Sequence, residues 1–186
     1  MELIKALTKD RQDRMLALYR TAFPKSEQKP FDRIVKKQEE GLVDMLSLEE
    51  DQRTVGLAIM ARTGDLVLFD YFAVEEGERN SGRGTRALQA ILTYYGVLRV
   101  VGEIDSTRET GAADLEMRIR RKAFYLRNGL TELPYQVNLW GNQMEMLSNN
   151  RPCSFEEYLD IYTSVFGPAT AENIRLLAEN PEKTEE

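Results

Sequence analysis

The segment Arg79-Asn80-Ser81-Gly82-Arg83-Gly84-Thr85 constrains this chain most, because it stands where a hydrophobic strand gives way to an amphipathic helix. Before it, Leu66 to Val74 is a run rich in β-branched and aromatic residues; after it, Ala87, Leu88, Ile91, Leu92 and Tyr95 recur at helical spacing. Strand, glycine loop and helix N-terminus in that order make a seat for an anion. The first turn of a helix carries N–H groups with no intrahelical acceptor and the positive end of the macrodipole, and glycines let a phosphate approach without Cβ interference. Arg79, Arg83 and Arg86 add mobile positive charge, with Arg86 and Asn80 expected to face solvent. An ordinary helix start with surface arginines is the plainer reading. Two glycines where a helix begins cost helix propensity and argue against it.

Composition narrows the classes. A chain of 186 residues, 42% of them hydrophobic, suits one compact domain with a sizeable core. Its net charge of -6 disfavours a nucleic-acid binder that works by blanket phosphate neutralisation. There is no histidine and one cysteine, Cys153, so the sequence offers neither a structural zinc set nor a histidine-assisted nucleophile. Catalysis would have to use carboxylates, tyrosine, arginine, lysine or backbone, with no metal. A lone cysteine forms no intrachain disulfide, which fits a reducing compartment. Met1-Glu2-Leu3-Ile4-Lys5 lacks the apolar core of a signal peptide and no apolar run reaches spanning length, so a cytoplasmic protein with no membrane partner is expected.

The patterning predicts alternating elements. Glu2 to Leu7 reads as a strand, Lys9 to Phe23 as a helix stopped by Pro24, and Lys29 to Glu40 as a helix opened by Pro30 and closed by Gly41. Val43 to Glu50, Thr54 to Arg62 and Leu66 to Val74 read as an antiparallel meander. A helix over Gly82 to Tyr95, a strand over Val97 to Asp105 and a basic helix over Ala113 to Asn128, capped by Gly129, come next. Leu130 to Trp140 and Gln143 to Leu147 form a hairpin around Gly141-Asn142. Ser154 to Val165, opened by a Ser154/Glu157 capping box, and Thr170 to Glu179 read as two terminal helices before an acidic tail, Asn180 to Glu186, expected to fray.

This order resembles the GNAT superfamily of acyl-CoA-dependent N-acetyltransferases. Arg79, Gly82 and Gly84 match the family's pyrophosphate loop, and Phe124-Tyr125-Leu126-Arg127-Asn128-Gly129 matches an aromatic-Tyr pair ahead of a glycine late in the following helix. Leu130 stands where an aromatic is more common, and Arg118 lies near where many members place an Asn that touches the pantetheine. The resemblance implies an α/β (α+β) fold with a mixed, mostly antiparallel central sheet flanked by helices, here with two extra C-terminal helices. Residues 1–149 would be the acetyltransferase domain and 150–186 a helical extension packed on it. It also implies acetyl-CoA as donor, its diphosphate held by Arg79, Ser81, Gly82, Arg83, Gly84 and Thr85, and its pantetheine lined by Phe72, Ala73 and Val74, with the Val74 N–H on the acetyl oxygen.

Proton affinities say what else such a reaction needs. An alkylamine with a pKa of about 10.4 arrives protonated, and a carboxylate is the available base in a chain without histidine. The period of two aligns Arg99, Val101, Glu103 and Asp105 on one strand face, making Glu103 the first candidate and Asp105 the second. Asp70, inside a hydrophobic strand, is a third. Either acid of the first pair could instead pair with Arg99 or an arginine of the next helix. Tyr125 resembles the family's usual proton donor to the departing thiolate.

Phe124 is read as packing, and the cluster Arg118, Arg120, Arg121, Lys122 and Arg127 as a solvated helix face paired with Glu103, Glu109, Asp114 or Glu116, with contact to the nucleotide phosphates as the alternative. Trp140 sits near the expected acceptor cleft, and the segment Phe23 to Pro30 beside its entrance. Phe155, Tyr158, Leu159, Tyr162 and Phe166 form an apolar stripe that covers the core or builds a homodimer. Two functions stay open: acetyl transfer to a primary amine of a small molecule or peptide, and acyl-CoA binding without turnover by a sensor or interaction module.

Overall fold

The meander expected from three successive strand-like segments is present: β2 (Val43–Glu50), β3 (Arg53–Thr63) and β4 (Leu66–Val74) follow β1 (Glu2–Lys5) in sequence and in strand order. The computed structural model describes residues 1–78 and 81–179. These fall into two compact units, Met1–Arg62 with Phe69–Gly96, and Thr63–Leu68 with the chain from Val97 onward. The fold is mixed α/β, with eight strands and six α-helices among the described residues.

In the first unit β1 pairs with β2 and β2 with β3, both antiparallel, with Leu3 opposite Leu48 and Val43 opposite Ala61. Asp51 and Gln52 both take positive φ, 52° and 62°, the backbone that a two-residue hairpin needs to follow strand twist. Six consecutive residues of β2, Val43 to Leu48, are buried, so both of its faces are covered. Met45, Leu46, Leu57, Ile59 and Met60 form the centre of this core.

α1 (Lys9–Ala22) starts at Thr8, whose hydroxyl caps it, and buries Met15 and Tyr19. α2 (Phe31–Glu39) packs on β2. It begins two residues later than the sequence pattern predicts, because Lys29 is held in the preceding connection: its N–H donates to the Tyr71 hydroxyl at 3.1 Å and its carbonyl accepts from Tyr19 at 3.3 Å. A single 3-10 turn, Glu76–Glu78, follows β4, and α3 (Arg83–Tyr95) closes the unit.

In the second unit the strand order is β5 (Arg99–Asp105), β7 (Asn142–Ser148), β6 (Thr131–Leu139), β8 (Ile174–Glu179). The three pairings are antiparallel, with Glu103 opposite Met146 and Val137 opposite both Met144 and Leu176. The β6–β7 turn is Trp140-Gly141, at φ 49° and 92°, one residue earlier than expected, and the Asn138 side chain accepts from the Gly141 N–H at 2.8 Å. α4 (Leu115–Arg127) ends in a Schellman arrangement: the Leu130 N–H reaches the Tyr125 carbonyl and the Gly129 N–H that of Leu126.

The C-terminal region corrects one expectation. α5 (Phe155–Ile161) carries the predicted Ser154/Glu157 capping box and runs on into a π-helical turn, Tyr162–Phe166. The second terminal helix, however, is only α6 (Pro168–Ala171), and Ile174–Glu179 is the strand β8 rather than helix. Short apolar runs such as Ile174 to Ala178 carry no decisive period, and the ladder offered by β6 outweighs a weak helical propensity. The expected frayed tail lies outside the described residues.

Candidate functional site

In the first unit the glycine loop ends at Gly82, the N-cap of α3, at φ 76°, a left-handed conformation that a side chain resists. The first helical hydrogen bond runs from the Arg86 N–H to the Gly82 carbonyl at 3.1 Å. Gly82 and Thr85 are exposed and Gly84 half-buried, so solvent reaches the first turn. The Ser81 hydroxyl donates to the Glu78 carbonyl at 2.6 Å and accepts from Arg83 at 3.1 Å. Arg79 and Asn80 lie outside the described residues.

Arg83 and Arg86 are not free. Arg83 donates to Glu50 at 2.8 Å and pairs with Glu78 at 2.7 Å. Arg86 does not simply face solvent: it grips both oxygens of Glu50, at 2.9 and 3.0 Å. The Arg86 guanidinium, above all, holds the Glu50 carboxyl below its ordinary range. Glu50 ends β2 beside a loop where the sequence pattern singled out only cations.

Phe72, Ala73 and Val74, the last residues of β4, are half-buried. Gly56 of β3 lies against them: a Cβ there would stand 2.5 Å from the Ala73 carbonyl oxygen and 3.2 Å from the Val74 Cα. Further back on β4, the Asp70 side chain is 3% exposed and forms an ion pair with Lys29. Its neighbour Tyr71 donates to the Glu27 carbonyl at 2.6 Å, and burial drives its phenol well above the ordinary range.

In the second unit the two acids of β5 have different partners. The hydroxyls of Tyr158 and Tyr162 both donate to Glu103 Oε1 at 2.6 Å. Asp105 pairs with Arg121 of α4 at 2.7 Å. Arg99, expected beside them, instead grips Asp65 at 2.9 Å and Glu157 at 2.7 Å. Tyr158 and Tyr162 were legible only as apolar stripe residues, although a phenol in place of Phe or Leu at buried positions signals a hydrogen-bond partner.

Tyr125 stands in the last turns of α4 with its ring edge-on to Phe124 at 5.2 Å. Burial pushes its phenol up to about 12, and Arg121 nearby opposes the rise. Arg118 is bound by Asp114, Glu109 and the Ser106 carbonyl, the paired helix face that the charge pattern suggests. Trp140 is exposed at the β6–β7 turn, where it lines a groove with Asn138, Arg175 and Leu176. Among the described residues no group of three or more His, Cys, Asp or Glu is placed to hold a metal ion, and no helix is long and apolar enough to cross a membrane.

No protein-family model and no curated protein matches this chain in sequence. Solved structures do match in shape. A protein described as a GNAT-family acetyltransferase from Bacteroides thetaiotaomicron superposes with a TM-score of 0.74 over 90% of this chain and 99% of its own, at 21% identity. The fold is the GNAT fold. An aminoglycoside 6'-N-acetyltransferase complexed with coenzyme A shares it at a TM-score of 0.60 and 15% identity, over 82% of this chain and 100% of that one. A Bacillus subtilis acetyltransferase in complex with CoA does so at 0.56 and 15%, over 81% and 97%. On this fold β4 leads into the glycine-started helix α3, and the Phe124-Tyr125 pair stands late in α4.

Proposed function

We propose that this chain moves an acetyl group from acetyl-CoA to a primary amine of a small molecule or peptide. One observation carries the reading: on a GNAT fold, β4 leads into a helix begun by Gly82 in a left-handed conformation, with Ser81, Arg83, Gly84 and Thr85 around its exposed first turn. Those residues, with Arg79, bind the diphosphate, and Phe72, Ala73 and Val74 line the pantetheine. CoA-bound neighbours of the same fold support this assignment.

The amine lone pair attacks the thioester carbonyl carbon, the tetrahedral adduct collapses, the C–S bond breaks and CoA leaves as a thiolate. The amine's proton goes to a carboxylate, Glu103 first and Asp105 second. Tyr125, whose phenol stays protonated at neutral pH, donates to the departing sulfur. Because a thiolate with a pKa of about 8.5 is already a tolerable leaving group, that donation assists the step without being indispensable to it.

A second reading, acyl-CoA binding without turnover, draws support from the partners already held by Glu103 and Asp105. Thiol release from acetyl-CoA against a panel of amines separates the two. Amine-dependent release that is lost in Gly82→Val and Gly84→Val supports the transferase; CoA binding with no release on any amine overturns it.

A further inference from the structure

Asp70 sits in the middle of β4 between Phe69 and Tyr71, with only 3% of its side chain exposed. Removing a carboxylate from water is costly unless it is paired and hydrogen-bonded on its remaining lone pairs. Lys29 meets Oδ1. Oδ2 is buried and makes no hydrogen bond among the described residues. A buried carboxylate with one oxygen unbonded is unusual for a purely structural ion pair, because both oxygens accept when satisfied.

The surroundings suit a cation. The Lys29 ammonium lies 5.1 Å from the centroid of the Tyr71 ring, so a carboxylate and an aromatic face together define an ammonium seat. Tyr71 is fixed edge-on by Tyr19 at 4.8 Å and Phe23 at 4.9 Å. Lys29 reaches the seat from the connection between α1 and α2, which is neither helix nor strand, while hydrogen bonds to Tyr19 and Tyr71 tether its backbone.

We propose that Asp70 and Tyr71 form the recognition site for a protonated aliphatic amine, that Lys29 is the internal ammonium which such an amine displaces, and that acceptors of this enzyme are therefore cationic alkylamines. The first two parts stand on the geometry; the last rests on the transferase reading. An incoming ammonium carries three donors, enough to bond Oδ1 and Oδ2 together. Neutral alcohols and amides lack the charge to compete with Lys29.

The test uses the full chain with butylamine and 1,4-diaminobutane as probes and butanol as the neutral control. Thermal unfolding of Lys29→Met should rise on adding either amine and not on adding butanol. The double variant Lys29→Met/Asp70→Asn, which removes both charges and so leaves none buried alone, should not respond. In thiol release with 1,4-diaminobutane, held at one nitrogen and reacting at the other, Lys29→Met should lower KM by about tenfold, and Asp70→Asn should raise it by about ten- to a hundredfold with acetyl-CoA affinity unchanged. Amine-dependent stabilisation without thiol release leaves the site standing and removes the transferase reading. Thiol release with a KM unmoved by Asp70→Asn, or stabilisation that persists in the double variant, overturns the site and spares the transferase.

Discussion

The Tyr158 hydroxyl donates to Glu103 Oε1 at 2.6 Å, tying a buried ring of α5 to the acid of β5. Tyr162 binds the same oxygen, and the two rings stand edge-on with centroids 5.4 Å apart. Burial, and then the Glu103 charge, drives the Tyr158 phenol well above its ordinary range, so it remains a donor throughout the working pH range. Tyr158→Phe should cost about 1.5–3 kcal/mol, the worth of a hydrogen bond to a charged group, read from urea unfolding. Glu103→Gln should lower kcat by about a hundredfold, as removal of a general base does. An unchanged kcat would leave Glu103 with a structural role alone.

Tyr125→Phe should lower kcat by about a hundredfold, near the lower end for a general acid, with acetyl-CoA affinity unchanged. The donor form of this phenol exists below its raised value of about 12 and is lost above it. The wild-type rate should therefore show no fall assignable to Tyr125 up to about pH 11. A descending limb near pH 9 that disappears in the variant would contradict this.

Gly56→Ala brings a methyl group to 2.5 Å from the Ala73 carbonyl oxygen, closer than real Cβ contacts come, so the end of β4 must shift. Overpacking of this kind costs about 1–3 kcal/mol. The KM for acetyl-CoA should rise while the amine KM changes little. Steady-state kinetics in both substrates reads the difference.

Acid stability should depend on Asp44. Burial raises its carboxyl, but hydrogen bonds and charge from Lys5 and Arg62 outweigh burial, and the net direction is down. A carboxyl lowered in the folded state contributes stability above its unfolded value of about 3.9, and that contribution is lost as pH falls through the folded value. Asp44→Asn should thus lower Tm at pH 7 and flatten the fall of Tm below about pH 4. Glu145, lowered in the same sense by Lys122 and Thr107 against burial, leaves a residual acid dependence in the variant.

The sequence made legible what strong local patterns encode. The bounds of β2 and β4 match the strand-like runs to the residue, and the Ser154/Glu157 box and the Gly129 cap are local chemistry. Long-range partners were not legible. Ile174–Glu179 becomes a strand because β6 offers its edge, a fact absent from the local sequence. The same holds at the sites: Asp70 was conspicuous as an acid in an apolar strand, but its partner Lys29 lies 41 residues away and no periodicity links them. Likewise Glu50 binds Arg86 across a separation of 36 residues.

Because β8 finishes the ladder that β6 presents, a chain cut just before Ile174 would keep every residue assigned to the reaction while baring a row of amides and carbonyls along β6. Such a shortened form invites strand addition by its own copies and should precipitate on expression.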